Sequence, residues 1–249
     1  MSGLLRKFRP IVLIFSVISC VRGTPEPLLW KGVTPIGEIL RDPKAWEGKS
    51  VKLLAYYRWF DIFGEAGSGP PVTRSDVAFA DITGAIYATR WENPGLSPQD
   101  TDRLLLLEAE VKVNPEGIPY LEVKETHQVE GLPKGVVLRV RLTGGIAGFN
   151  QELLLAEDGT ALSLDRKLNR HARTKVEAKA VTEALQQIRP LLGQELGEPI
   201  PDGFTYTIYA WEGDKVRTLI LHAETAPESV KPLLGFLNEL LLRTFRQGG

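Results

Sequence analysis

Cysteine is nearly missing from this chain: of 249 residues, only Cys20 carries a thiol. An internal disulfide and a zinc–cysteine cluster are therefore excluded, and stability must come from packed cores, which a chain of roughly 230 mature residues can build. Histidine is scarce as well. His127, His171 and His222 stand far apart, with no His-Glu-x-x-His pattern and no carboxylate at ligand spacing. No Gly-x-Ser-x-Gly elbow appears. A surplus of positive charge is also lacking. Residues 21–131 hold 12 Lys or Arg against 17 Asp or Glu, a net of −5, and residues 132–249 hold 15 against 14, a net of +1. Neither half has the basic excess that a phosphate backbone demands, so no nucleic-acid partner is expected. These absences predict a non-enzyme with no cofactor and no metal.

What is present begins with the N-terminus. Arg6, Lys7 and Arg9 precede the apolar run Ile11 to Ile18, and Val17-Ile18-Ser19-Cys20 follows. A membrane-spanning helix needs about 20 apolar residues, whereas the apolar core of a signal peptide needs about 7–15. Aliphatic, small, then cysteine is the pattern of a bacterial lipobox, in which the thiol takes a diacylglyceryl group and becomes the first mature residue. The expectation is a lipoprotein signal peptide over residues 1–19 and a lipidated tether over 20–33, with Gly23, Pro25 and Pro27 inside it. The protein would then be extracytoplasmic, held by its lipid on the periplasmic face or at the cell surface. The competing reading is an ordinary secretory signal with an incidental cysteine.

Residues 34–131 read as strands. Ser50 to Tyr57, Val77 to Asp81, Ala85 to Thr89, Leu104 to Val113 and Tyr120 to Val123 are apolar or alternating runs, separated by turn material such as Thr83-Gly84 and Pro115-Glu116-Gly117. Five short strands predict a small closed or sandwiched β-unit. The order Ile39-Leu40, Pro43, Trp46, Gly48-Lys49, Val51 and then Phe79-Ala80-Asp81-Ile82-Thr83-Gly84 resembles bacterial extracytoplasmic OB-fold domains. The resemblance implies an OB-like barrel. Tyr56, Tyr57, Trp59 and Phe60 are either a stacking platform or residues alternating between core and surface. Asp81-Ile82-Thr83-Gly84 is not an aspartic-protease motif, since Ile82 interrupts Asp-Thr-Gly and no second copy exists.

Near Gly131-Leu132-Pro133-Lys134-Gly135 the pattern changes, and residues 132–249 predict an α+β domain with an antiparallel sheet and two helices. Val136 to Leu142 alternates, with Arg139 and Arg141 on one face as in a half-buried strand. Phe149 to Leu155 returns as a second strand, and Ala161 to Leu164 adds a short one. Helical spacing of Val176, Ala180, Ala184, Leu185, Ile188 and Leu192 predicts a helix over Arg173 to Leu192. Phe204 to Trp211 and Lys215 to Leu221 form a hairpin. A closing helix carries Val230, Leu233, Leu234, Leu237, Leu240 and Leu241, with Ser229 as N-cap and Pro232 in the tolerated first turn.

Gly144-Gly145-Ile146-Ala147-Gly148 after a strand, Pro201-Asp202-Gly203-Phe204-Thr205-Tyr206 opening the hairpin, and Pro232-Leu233-Leu234 with Leu237 resemble emfourin, a proteinaceous inhibitor of protealysin-branch, thermolysin-type metallopeptidases. The resemblance spans about residues 136–242 and implies a metallopeptidase partner. Gly144, Gly145, Ile146, Ala147, Gly148 and Phe149 are the candidate partner-binding loop, with Asp202, Phe204 and Tyr206 as secondary candidates. Glycines leave a backbone unshielded and open to close approach, but they also serve plain structural turns. A phosphate-binding loop is rejected, because the run turns back into a strand and no Gly-Lys-Ser/Thr follows. Arg166, Lys167, Arg170, Arg173, Lys175 and Lys179 would be either a solvated face leading into the first helix or a contact with anionic headgroups.

The expected function is therefore binding: a lipid-anchored inhibitor of a metallopeptidase or, alternatively, an envelope scaffold or ligand-binding lipoprotein. A third reading, an enzyme at the junction of the two halves, requires Asp81, Glu122, His127 and His222 to converge.

Overall fold

The computed structural model describes residues 26–247. Cys20 and the proposed signal peptide lie outside the described residues. The chain is mostly β, with a closed five-stranded barrel, a second sheet of seven strands and few helices.

The barrel uses β1 (Ser50–Tyr57), β2 (Val77–Asp81), β3 (Gly84–Thr89), β4 (Leu104–Val113) and β5 (Pro119–Gln128), in the order β1-β2-β3-β5-β4. Every neighbouring pair is antiparallel except β3 with β5. Leu53, Tyr57, Phe79, Ile86, Leu105, Leu107, Val111 and Leu121 pack inside. Two short helices, α1 (Ile36–Arg41) and α2 (Pro43–Trp46), precede the barrel. Asp81 seats the first: its carboxylate accepts the Ile36 N–H at 2.8 Å, and Thr83 Oγ1 accepts the Gly37 N–H at 2.7 Å. The Asp-x-Thr-Gly turn is thus a helix seat. Burial pushes the Asp81 carboxyl up from its ordinary range, against four hydrogen bonds that pull it down.

The second sheet holds β6 (Val136–Gly144), β7 (Phe149–Ala156), β8 (Thr160–Asp165), β9 (Arg170–Lys175), β10 (Glu195–Leu196), β11 (Phe204–Glu212) and β12 (Lys215–His222), ordered β10-β12-β11-β6-β7-β8-β9. Only β10 with β12 is parallel. Two longer helices, α3 (Ala178–Ile188) and α4 (Lys231–Gln247), cover one face, where Leu138, Val140, Leu153, Leu155, Ile208, Leu219, Val230, Leu233 and Leu237 form the core. The opposite face packs on the barrel through Leu154, Leu162, Leu164 and Val136 against Leu54, Tyr56, Phe63, Ile82 and Leu104. Cover on both faces explains why β7 and β8 are buried almost throughout.

Four expectations require correction. The helix predicted from Arg173 starts at Ala178, because Arg170 to Lys175 pair with β8 as the edge strand β9. Arg139 and Arg141 do not face solvent on a half-buried strand; their face meets the barrel, and Arg139 is buried. Ser229 does not cap α4 but sits in a 3-10 turn, Glu228–Val230, that enters it, although Pro232 does fall in the first helical turn. Finally, residues 28–30 of the expected tether pack into the fold. Leu28–Trp30 is a 3-10 turn whose Trp30 indole donates to the Leu132 carbonyl at 3.1 Å and stands edge-on to Trp211.

Among the described residues no helix is long and apolar enough to cross a membrane.

Candidate functional site

The two glycine-bearing motifs meet at one end of the second sheet. Gly144 pairs with Phe149 across the β6–β7 hairpin and with Phe204 on β11. Gly144 and Gly145 have φ of +103° and +72°, a region L side chains rarely enter. A Cβ at Gly144 would overlap the Gly203 carbonyl, and one at Gly145 would stand 2.6 Å from the Phe204 ring. The hairpin closes with Gly148 N–H donating to the Gly145 carbonyl at 2.8 Å, while Gly145 N–H donates to Gly203 at 3.2 Å. These glycines therefore do structural work, and they hold Ile146 outward at 92% exposure.

The support behind the tip is layered. Phe149, 39% exposed, meets Phe204 edge-on with centroids 5.6 Å apart. Glu224 accepts the Phe204 N–H through both carboxylate oxygens, at 3.0 and 3.1 Å, and so fixes the start of β11. Asp202 adopts a φ of +58° in the turn before it and is exposed. The neighbouring β8–β9 tip lies at the same end, since Asp165 pairs with Arg170. Its Lys167 Nζ donates to the Ala147 carbonyl, tying the two tips together. Leu168 at 57% and Ile200 at 44% add exposed apolar side chains at this end. Tyr206, by contrast, is buried among the core residues under the helices, and burial pushes its hydroxyl up. It holds the sheet and cannot reach a partner.

The polar centre of the molecule lies elsewhere, between barrel and sheet. Glu152 on β7 is fully buried; it accepts from Arg139 Nε at 2.7 Å and from Arg166 Nη2. Burial alone would raise its carboxyl, but Arg139, Arg166 and Arg58 together hold it well below the usual carboxylate range. Arg139 also approaches Asp102 of the barrel, at 3.6 Å. Arg166 donates to Thr101 Oγ1, Arg173 to the Ile82 carbonyl at 2.5 Å, and His171 Nδ1 lies 2.8 Å from the Phe63 carbonyl. The basic residues expected on a solvated face thus include two that dock into the barrel. Arg58, fully buried, pairs with Glu65 at 2.5 Å. Sequence patterning missed this network, because a buried charge leaves no periodic signature; its traces were Arg139 among the apolar residues of β6 and Glu152 ahead of Leu153-Leu154-Leu155.

Beside the network a cleft of about 990 Å³ opens between β4–β5 and β11–β12, lined by Asp102, Gln128, Arg139, Tyr209, Trp211 and Lys215 among others. The residues required for a junction enzyme do not gather there. Asp81 caps α1, Glu122 lies on β5 facing Lys112 at 3.8 Å, and His127 lies further along β5, 3.5 Å from Glu125. His222 ends β12, at the far end of that strand from Lys215, 2.8 Å from Glu195. Among the described residues no group of three or more His, Cys, Asp or Glu could hold a metal ion.

No protein-family model matches the chain, and no curated protein matches it.

Proposed function

We propose that this protein is a lipid-anchored extracytoplasmic inhibitor of a thermolysin-type metallopeptidase, acting through the β6–β7 tip. One observation carries the reading. The two motifs that resemble emfourin come together so that Gly203 and Phe204 brace a glycine turn whose apex, Ile146, projects into solvent. An inhibitor benefits from such a preorganised segment, since little conformational entropy remains to be lost on docking. Exposed apolar clusters on otherwise polar surfaces commonly mark interaction sites.

The same proposal divides the chain into an OB-like barrel domain over 34–131 and an emfourin-like domain over 132–249. The closed five-strand order with one parallel pair is compatible with an OB-fold. The barrel serves as a spacer, and the buried arginines hold it to the sheet. Addition of the mature protein to purified thermolysin-type peptidases, followed by peptide hydrolysis, tests the activity. Inhibition is expected, and unchanged hydrolysis at micromolar excess rejects it.

A second reading, a ligand-binding or scaffold lipoprotein, is favoured by the cleft, whose aromatic and charged lining could receive a polar ligand. Cross-linking in cells separates the two: an inhibitor captures a peptidase, a scaffold captures envelope components.

A further inference from the structure

We propose that the cleft between the barrel and the second sheet is a binding site for a neutral oligosaccharide. The proposal gives a ligand class to the ligand-binding reading of the cleft, on which it rests, and it is independent of the peptidase and of the lipid anchor.

The sheet supplies the floor. Tyr206, Ile208 and Ala210 of β11 face the helices, so Tyr209 and Trp211 face the barrel. Both rings line the cleft, half-buried, with Thr218 and Val216 directly across from them on β12. Neighbours fix each ring: the Arg139 guanidinium stands 5.0 Å from the Tyr209 centroid, and Trp30 meets Trp211 edge-on at 5.5 Å. Fixed aromatic rings offer electron-rich apolar faces on which the C–H side of a sugar ring can rest.

The barrel supplies the opposite wall. Asp102, Arg103, Gln128 and Glu130 come from the segments that enter β4 and leave β5. Carboxylate, guanidinium and amide groups each present two or more hydrogen-bonding atoms in one plane, which matches adjacent hydroxyls on the edge of a sugar ring.

Charge selects against ionic ligands. The charged residues lining the cleft are Asp102, Glu130 and Asp214 against Arg103, Arg139 and Lys215, and they cancel. Both arginines are already countered: Arg139 by Glu152 at 2.7 Å and Asp102 at 3.6 Å, and Arg103 by Asp100 at 3.3 Å. A balanced lining steers neither a phosphate nor an ammonium group. A peptide adding as a strand is disfavoured as well, because β11 is paired on both sides by β6 and β12, and β4 by β1 and β5. The cleft's volume, about 990 Å³, lies at the upper end of small-molecule sites, about 300–1,000 Å³, and suits several sugar rings better than one.

Isothermal titration calorimetry of the full chain tests the proposal. Tetraacetylchitotetraose, cellotetraose and maltotetraose are the neutral probes; tetragalacturonate and deacetylated chitotetraose are the anionic and cationic ones. Saturable binding of at least one neutral probe is expected, with weaker binding of the charged pair. Gln128→Ala and Glu130→Ala, at exposed positions where the fold tolerates truncation, should each weaken that binding by up to about tenfold. Tighter binding of a charged probe through the same residues overturns the neutral class and leaves the ligand-binding reading standing. Binding that both substitutions leave unchanged places the sugar elsewhere and overturns the site. No binding of any probe at millimolar concentration overturns the proposal outright, while the cross-linking in cells tests the wider reading separately.

Discussion

Gly144 and Gly203 meet backbone to backbone, with the Gly203 carbonyl occupying the space a side chain at Gly144 would need. The two positions belong to motifs about sixty residues apart in sequence, and β6 approaches the start of β11 this closely because Gly144 lacks a Cβ there. Gly144→Ala should therefore cost about 3 kcal/mol or more, since backbone cannot yield as a flexible side chain would. Gly148→Ala has open space around its Cβ and faces only the strain of φ +62°, so about 1–2 kcal/mol is expected. Urea denaturation of the two variants checks the ranking. Equal losses would mean that the close approach is not what fixes the turn.

Ile146 makes the opposite prediction, loss of binding without loss of stability. Its side chain is almost wholly in water, so Ile146→Asp should change unfolding free energy by less than about 0.5 kcal/mol. If the side chain is buried by a partner, its transfer contributes about 1.5–3 kcal/mol, which is about 10–150-fold in affinity. Ile146→Ala should fall between the wild type and Ile146→Asp in inhibition assays. Full inhibition by Ile146→Asp would remove the tip from the contact.

Tyr56 is fully buried beneath the guanidinium groups of Arg58 and Arg139, 5.0 and 5.2 Å from its ring centroid. Its hydroxyl finds no hydrogen-bond partner, and burial pushes it up to about 12. Tyr56→Phe keeps the ring under both cations and removes an unpaired polar atom. Stability should stay level or rise, by up to about 1–3 kcal/mol. A drop beyond about 1 kcal/mol in thermal or urea unfolding would show that the hydroxyl has an acceptor.

Much of the fold was legible in sequence, and what was missed follows from competing signals. Ser50 to Tyr57 and Val77 to Asp81 match their strands end to end, because apolar runs bounded by Gly, Pro and Asp leave few alternatives. β9 was misread because Arg173, Lys175 and Val176 continue the charged, helix-like pattern of α3. The available signal was Asn169, a turn residue at φ +47°, before a charged stretch suited to an edge strand. β10, at two residues, is too short to carry any period. At the candidate site the glycines and Phe204 were legible as residues but not as neighbours, since only the register of β6 with β11 joins them. Tyr206 was legible as a strand residue but not as a buried one, because a strand start and a contact residue share the same composition.

Glu152 should dominate the acid limit of stability. In the unfolded chain it titrates near 4.5, whereas three guanidinium groups hold it lower in the fold. The folded state therefore binds fewer protons, and the stabilisation is complete above about 4.5 and lost as pH falls through the lower folded value. Asp81 has the opposite sign. Its carboxyl is raised by burial, so its contribution is present below the ordinary carboxylate range and declines as pH rises through the folded value. Glu152→Gln removes the titrating charge and leaves Arg139 and Arg166 facing a neutral group. At neutral pH it should cost about 3–5 kcal/mol, as expected when one partner of a buried pair is removed. Urea midpoints measured from about pH 3 to pH 7 should fall toward acid for the wild type and fall less steeply for Glu152→Gln over the same interval. An unchanged acid slope in the variant would move that limit to other carboxylates, with Asp158 beside Lys175 the first to replace.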